Sequence, residues 1–82
     1  QNYPNPFNPS TNIGYQLAET AHVELNIFDT MGRKVAELVN SRQTAGFHLL
    51  SFDAAGLASG IYFYRLETSS GFIESKKMIL LM

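Results

Sequence analysis

The fold is decided by residues 57–82, LASGIYFYRLETSSGFIESKKMILLM. This stretch contains β-branched and aromatic residues at positions 61–64, and a Ser-Ser-Gly sequence that ends at Gly71. The first group favours strands and the second favours turns. We therefore predict a long β-hairpin whose second strand runs to the end of the chain.

The charged residues of this hairpin decide between two registers. A two-residue loop would place Arg65 opposite Lys76 and Glu67 opposite Glu74, and like charges directly across a ladder are destabilising. A three-residue loop, residues 69–71, avoids both pairs and gives a glycine to the left-handed position of the turn. We predict this register. One face then carries Tyr62, Tyr64, Leu66, Phe72 and Met78, and the other carries Ile61, Phe63, Arg65, Ile73, Lys77 and Ile79.

The preceding chain reads as shorter strands separated by turns. Residues 11–17, 22–29, 34–39 and 47–53 are the predicted strands, and 22–29 has the clearest alternation, with its apolar residues on one face and His22, Glu24 and Asn26 on the other. Asp29 and Gly32 occupy the first and fourth positions of a type I turn. We also expect a bulge among the apolar residues of 34–39, a polar loop over 40–45, one helical turn that Asp53 caps, and Leu57 at the end of the core. His48, Leu50 and Phe52 are predicted to share a face, and Phe28 to lie near a loop.

These elements predict an all-β fold, a small antiparallel sandwich of six to seven strands, immunoglobulin-like or fibronectin-III-like, that ends in the C-terminal hairpin. Residues 11–82 form this single domain. Residues 1–10 contain all three prolines of the chain and are predicted to be an extended, Asn/Pro-rich entry segment. This segment is either the end of a linker that docks on the sandwich or a recognition segment for a processing or transport partner.

Composition excludes several classes of function. The chain has 82 residues, no cysteine and a net charge of −1, so we expect no disulfide, no thiolate metal site and no nucleic-acid partner. No apolar run has the ~20 residues of a membrane span, and no signal peptide is visible. The chain begins at Gln1 in a loop-like segment, which suggests a C-terminal piece of a longer protein.

Catalytic chemistry is not indicated. His22 and His48 lie on different predicted strands, the first facing solvent and the second structural or exposed. A turn, a cap or a strand surface explains each of the acidic residues Asp29, Asp53, Glu67 and Glu74. We predict a non-enzyme that needs neither a cofactor nor a metal. A glycan-binding module is an alternative, because such sandwiches use exposed aromatic platforms. Its candidate residues are Tyr3, Tyr15, Phe28, Phe63 and Tyr64, although the chain has no tryptophan.

Four stretches together resemble one family. They are YPNPFNPSTNIGYQL at residues 3–17, VELNIFDTMGRKVAEL at 23–38, AGFHLLSFDAAGLASGIYFYRL at 45–66 and KKMILL at 76–81. In this order and spacing they are similar to the type A C-terminal sorting domain of the type IX (Por) secretion system. A related immunoglobulin-like domain occurs in flagellar hook-capping proteins.

The resemblance implies a function and its partners. Such domains lie at the C-terminus of larger secreted proteins of Gram-negative bacteria, and they address an upstream cargo domain to an outer-membrane translocon. A sortase-like protease then removes the domain, and the cargo is released or attached to lipopolysaccharide at the cell surface. The fold in the family is an immunoglobulin-like sandwich.

The signal elements of the family can be placed on this chain. They are the Pro4-Asn5-Pro6 segment, the turn with Asp29 and Gly32, the strand start with Gly60 and Tyr62, and the terminal run of Lys76, Lys77, Met78, Ile79, Leu80 and Leu81. We expect the terminal run to carry recognition, because an edge strand offers backbone groups and alternate side chains to a partner. The alternative function is a structural or adhesive immunoglobulin-like module, with a glycan-binding module as the third possibility.

Overall fold

The fold consists of strands and turns. The computed structural model describes residues 2–3 and 10–81, and this part of the chain contains no helix. The strands are β1 (Asn2–Tyr3), β2 (Ser10–Leu17), β3 (Ala21–Asp29), β4 (Lys34–Gln43), β5 (Gly46–Asp53), β6 (Gly60–Thr68) and β7 (Ile73–Leu80). No helix of the length and apolar character that a membrane crossing needs is found in these ranges.

The strands form two antiparallel sheets. One sheet has the order β1-β2-β5 and the other the order β4-β3-β6-β7. A three-stranded and a four-stranded antiparallel sheet are also the two layers of seven-stranded immunoglobulin-like sandwiches. The prediction of a small antiparallel β-sandwich is thereby confirmed.

The core lies between the two sheets and comes from alternate positions of five strands. Val23, Leu25 and Ile27 of β3 have no exposed surface, as their alternation predicts. Leu57 packs against this cluster from the β5–β6 connection. The buried cluster comprises Ile13, Tyr15, Leu17, Val23, Leu25, Ile27, Phe52, Ala54, Tyr62, Tyr64, Leu66, Met78 and Leu80.

The hairpin has the predicted register. Arg65 lies opposite Ser75 and Glu67 opposite Ile73, so neither like-charge pair forms. The Thr68 N–H donates to the Phe72 carbonyl oxygen over 2.9 Å and closes a three-residue loop. Gly71 has φ of +99°, a backbone conformation that residues with a side chain rarely adopt.

One residue that the sequence places on the face of Tyr62, Tyr64 and Met78 is not buried with them. Phe72 lies at the turn, before β7 begins, and is 48% exposed. It borders a small depression beside Leu17 and Ala18, at the end of β2. Phe72 therefore lies at the rim of the sandwich, where the facing sheet ends.

Strand β4 differs from the prediction in length and agrees with it in irregularity. Its register against β3 shifts twice, between the partners of Leu25 and Asn26 and between those of Ile27 and Phe28, which confirms a bulged strand. The predicted loop over 40–45 is wrong in its first part, because Asn40 to Gln43 continue the ladder with β3. Their side chains are polar and mostly exposed, so the apolar alternation that marks a buried strand is absent there.

The two other predicted turns are present, with one correction. The Gly32 N–H donates to the Asp29 carbonyl oxygen over 3.0 Å, which closes the predicted turn. Asp53 caps the next connection as expected, since its Oδ1 accepts the Ala55 N–H over 2.9 Å. The turn that follows is a β-turn, with Leu57 N–H donating to the Ala54 carbonyl oxygen, and the predicted helical turn does not form.

Candidate recognition surface

The terminal strand divides its side chains between the two faces of the sandwich. Met78 and Leu80 are fully buried in the core, whereas Lys77 is exposed on the outside and Ile79 is half-buried there. Leu81 follows the strand and is 53% exposed. A partner that approaches the folded domain from outside therefore meets Lys77, Ile79 and Leu81, while Met78 and Leu80 hold the strand in place.

Two charged residues of β7 point toward the other sheet. Glu74 lies opposite Leu66 and Lys76 opposite Tyr64, so both share the face of the buried residues. They remain partly exposed, and the Lys76 ammonium lies 3.4 Å from the Glu74 carboxylate. Inward-pointing charges on the last strand of a sheet discourage the edge-to-edge association of sheets.

On the outer face of the hairpin, exposed apolar side chains surround Lys77, the lysine of β7 that points outward. Ile61 and Phe63 are 44% and 37% exposed, Ile61 lies opposite Ile79, and Phe63 lies opposite Lys77. No ion pair is found for Lys77 among residues 10–81. We call Ile61, Phe63, Lys77 and Ile79 the outer patch.

A shallow depression adjoins the outer patch. It has a volume of about 370 Å³ and runs between the Asp29 turn and the middle of β6 and β7. Phe28 and Phe63 are opposite each other across the β3–β6 ladder, and Arg65 is paired at 3.5 Å with Glu67. The residues that line it are Phe28, Asp29, Thr30, Gly32, Phe63, Arg65 and Ser75.

The Asp29 turn is held by the carboxylate of its first residue. Asp29 Oδ1 accepts the backbone N–H groups of Met31 and Arg33, each over 2.9 Å, and Oδ2 lies 2.9 Å from Arg33 Nε. The Arg33 backbone N–H, more than any other contact, lowers the pKa of Asp29, and the Met31 N–H and the Arg33 guanidinium act in the same direction. The geometry gives Asp29 a structural task at the turn.

Tyr62 has a structural role of its own. Its side chain is 8% exposed, and its hydroxyl donates a 2.6 Å hydrogen bond to the carbonyl oxygen of Ala58. A tyrosine near the start of the sixth strand that bonds back to the preceding connection is the tyrosine corner of immunoglobulin-like domains. This contact fixes the path of the chain into β6.

The structure brings most of the predicted recognition residues to one end of the larger sheet. Asp29 lies opposite Tyr62, Tyr62 opposite Met78, and Gly60 opposite Leu80. A second depression of about 260 Å³ is lined by Asp29, Gly60 and Tyr62, together with Ile61. Gly32 lines the neighbouring 370 Å³ depression. Pro4, Asn5 and Pro6 lie outside the described residues.

Sequence reasoning misses two members of the outer patch as candidates for recognition by a secretion partner. Ile61 and Phe63 are strong strand formers; the sequence assigns both to a face of the hairpin, and it considers Phe63 otherwise only for the glycan alternative. The available signal is their alternation with Tyr62 and Tyr64, since two large apolar sets on one strand cannot both face the core. One set has to be exposed, and exposed apolar groups that lie together mark interaction sites.

The alternative sites keep few of their predicted residues in the described part. Of the glycan candidates, Phe28 and Phe63 are partly exposed and lie opposite each other, and the side chain of Tyr3 lies outside the described part. Tyr15 and Tyr64 are 8% and 3% exposed, so they cannot form an aromatic platform for a glycan. His22 is exposed on β3 and contacts Asn40, whereas His48 is on the other sheet and stacks on Tyr15 at 5.3 Å. No group of three potential metal ligands occurs among residues 2–3 and 10–81.

Comparison with known proteins agrees with the geometry. A family model described as the secretion system C-terminal sorting domain matches residues 1–81, nearly the whole chain. This match confirms the resemblance to type IX sorting domains, a family of sorting signals and not of catalysts. A search of curated proteins finds no match.

Proposed function

The chain belongs to the family of secretion system C-terminal sorting domains, and we propose that the outer patch is the part of this sorting signal that the type IX outer-membrane translocon reads. The domain acts as the address of a larger upstream cargo. Export then takes the cargo through the periplasm to the cell surface or the medium of a Gram-negative bacterium. The remaining steps of the proposal are removal of the domain by a sortase-like protease and release or lipopolysaccharide attachment of the cargo.

The observation that carries this proposal is the alternation along β7. A sorting signal functions on unrelated cargo, so its information has to lie on its own exposed surface. On β7 the outward residue Lys77 is exposed while its neighbour Met78 is fully buried. The outer patch combines the ammonium of Lys77 with the apolar surface of its other three residues. This combination favours a partner segment that carries an acidic side chain among apolar ones.

The burial of β7 also determines which experiment is informative. Deleting residues 77–82 would remove Met78 and Leu80 from the core, so a loss of export would not separate recognition from unfolding. Point changes on the outer patch leave the core intact. We therefore choose Lys77→Glu and Phe63→Ser, singly and together, in a fusion of the chain behind a periplasmic reporter.

The fusion is expressed in a host that has a type IX system. We expect the parent fusion to reach the medium or the cell surface, and the double variant to accumulate in the periplasm while it still unfolds in one cooperative transition above the growth temperature. Arg42→Glu is the matched control, because Arg42 is an exposed cation on β4 of the same sheet and has no ion pair among residues 10–81. Export of the double variant at the parent level would exclude the outer patch as the address.

The proteolytic step has a separate test. Mass spectrometry of the exported reporter gives the position of its new C-terminus. Under the proposal this end falls before or near the entry segment, residues 1–10. A reporter that keeps the whole domain after export would contradict the processing step and leave the address function unaffected.

A further inference from the structure

Strand edges of the two sheets differ in how they are protected. β4 is interrupted by two register shifts and carries Lys34, Glu37 and Arg42. β7 carries Glu74, Lys76 and Lys77. Bulges and charged side chains on the outermost strands of a sheet are the common means of preventing the addition of another strand.

Strand β5 has neither form of protection. It is the last strand of the smaller sheet and pairs only with β2 among the described residues. Its register is continuous from Gly46 opposite Leu17 to Asp53 opposite Ser10. No charged residue occurs from Gly46 to Phe52, and there is no proline in the strand. An unbroken, uncharged edge is a template for further pairing.

The outer face of β5 is also unusually apolar. Phe47 and Leu49 are 64% and 63% exposed. Their neighbour on β2 is Gly14, and a Cβ placed there would come within 2.9 Å of the Phe47 ring. The ring therefore lies against a residue without a side chain, and the face beside the free edge presents an aromatic and an aliphatic group to solvent.

We propose that β5 is a homodimer interface, in which it pairs antiparallel with β5 of a second copy and joins the two smaller sheets into one. This inference concerns an association that is separate from the secretory role. The pairing partner is a second copy of the chain, because β5 is complementary to itself in the antiparallel direction. When His48 lies on the two-fold axis, Phe47 lies opposite the partner's Leu49, and Leu49 lies opposite the partner's Phe47. Each such cross-strand apolar pair stabilises the ladder.

Charge also favours the antiparallel arrangement. Asp53 is the one charged residue of β5. In the proposed register the two copies of Asp53 lie about 34 Å apart along the paired strands at about 3.4 Å per residue. This separation exceeds the Debye length of about 8 Å at physiological ionic strength. Self-pairing of β5 therefore carries no like-charge penalty.

The test is sedimentation velocity of the 82-residue chain from micromolar to millimolar concentration. We expect a reversible shift from the monomer mass to the dimer mass. Leu49→Lys places a charge next to the axis on both copies and is expected to remain monomeric throughout. Ile73→Lys is the matched control, because Ile73 is an equally apolar residue that is 58% exposed on β7. This variant is expected to dimerise like the parent chain.

Hydrogen exchange of the parent chain gives a second, variant-independent readout. Amides of β5 are expected to exchange more slowly at millimolar than at micromolar concentration, and those of β7 are expected to be unchanged. A chain that stays monomeric at millimolar concentration would overturn the proposal. So would a dimer that Ile73→Lys disrupts as strongly as Leu49→Lys, or concentration-dependent protection of β7 in place of β5.

Discussion

The hydroxyl of Tyr62 is bonded to the carbonyl oxygen of Ala58, whereas the hydroxyl of Tyr64, two residues further along the same strand, has no hydrogen-bond partner among the described residues. Both side chains are buried on the same face of β6. The two tyrosines are therefore a matched pair in which loss of one oxygen atom has opposite consequences.

Tyr62→Phe is expected to destabilise the domain. The change removes a side-chain hydrogen bond that ties the β5–β6 connection to the strand, at a cost of about 1 kcal/mol. For a domain of this size, 1 kcal/mol corresponds to about 4–8 °C in the thermal midpoint. Thermal unfolding followed by circular dichroism measures this change in midpoint. An unchanged midpoint would show that the Tyr62–Ala58 hydrogen bond does not stabilise the fold.

Tyr64→Phe is expected to be neutral or to stabilise the domain by up to about 1 kcal/mol, because the change removes a buried hydroxyl that lacks a partner. The measurement is the same, with Tyr62→Phe as the control of equal size. If Tyr64→Phe lowers the midpoint as much as Tyr62→Phe does, the hydroxyl has a partner that stabilises it.

Alkaline pH gives an independent prediction for Tyr64. Burial, and secondarily the Glu74 carboxylate, raises the pKa of Tyr64 to about 12. In the unfolded chain the phenol ionises near pH 10, so its contribution to stability is complete below about pH 10 and is lost as the pH rises toward about 12. The loss is on the order of 2 kcal/mol for this group.

Urea unfolding as a function of pH tests this prediction. The stability of the parent chain is expected to fall more steeply above about pH 10 than that of Tyr64→Phe, because only the parent carries the Tyr64 phenol. Tyr15, whose pKa is also raised by burial, is present in both proteins and affects both equally. Parallel curves for the two proteins would contradict the shift at Tyr64.

Local sequence chemistry is sufficient to predict the hairpin and the centre of the core. The like charges at Arg65 and Lys76 exclude one register, and the alternation of Val23, Leu25 and Ile27 identifies the buried face of β3. These features are predictable because each depends on neighbouring residues or on one directly paired strand.

Features that depend on the second sheet are not predictable in the same way. The sequence groups Phe72 with Tyr62 and Met78 on one face, and its exposure follows from its place in the turn before β7, at the end of β2 in the opposite layer. The alternation of β3 predicts that Asn26 faces solvent, yet it is 5% exposed, opposite Glu37 and Arg65 and beside a register shift of β4. The partner of the Tyr62 hydroxyl likewise requires the three-dimensional path of the β5–β6 connection.

Acid stability is expected to depend on Asp29. Its pKa lies below the ordinary value of 3.8, first because of the Arg33 backbone N–H. A carboxyl with a depressed pKa in the folded state contributes stability above its unfolded pKa, and the contribution is lost as the pH falls through the folded value. The difference in thermal midpoint between the parent chain and Asp29→Asn should therefore be full at neutral pH and shrink below about pH 4.

Arg33→Ala is the informative control for this prediction. It removes the guanidinium and keeps the backbone N–H, which is the largest cause of the shift. Most of the decrease in thermal midpoint below about pH 4 should persist in Arg33→Ala, whereas the part due to residue 29 should disappear in Asp29→Asn. Equal losses in the two variants would instead assign the effect to the side-chain ion pair.

The hairpin turn connects stability to the outer patch. Gly71 has φ of +99°, whereas Gly56 has no positive φ, and a Cβ placed on Gly56 would meet no atom within 4 Å. Gly71→Ala is expected to destabilise the domain by about 1–2 kcal/mol, because a Cβ is strained in this conformation. Gly56→Ala, the matched control, is expected to be neutral or to stabilise by about 0.4–1 kcal/mol through the unfolded state.

The same substitution tests the register of β7. A slip of one residue would move Lys77 to the core face and Met78 to the outside, because neighbouring side chains of a strand point to opposite faces. Cross-strand contacts between Phe63 and Lys77, measured by nuclear magnetic resonance, should be strong in the parent chain and in Gly56→Ala. Where Gly71→Ala shifts this register, the contacts should be lost together with the export of the fused reporter. Normal export from a hairpin that has lost this register would show that the placement of Lys77 on the outer face is not what the translocon reads.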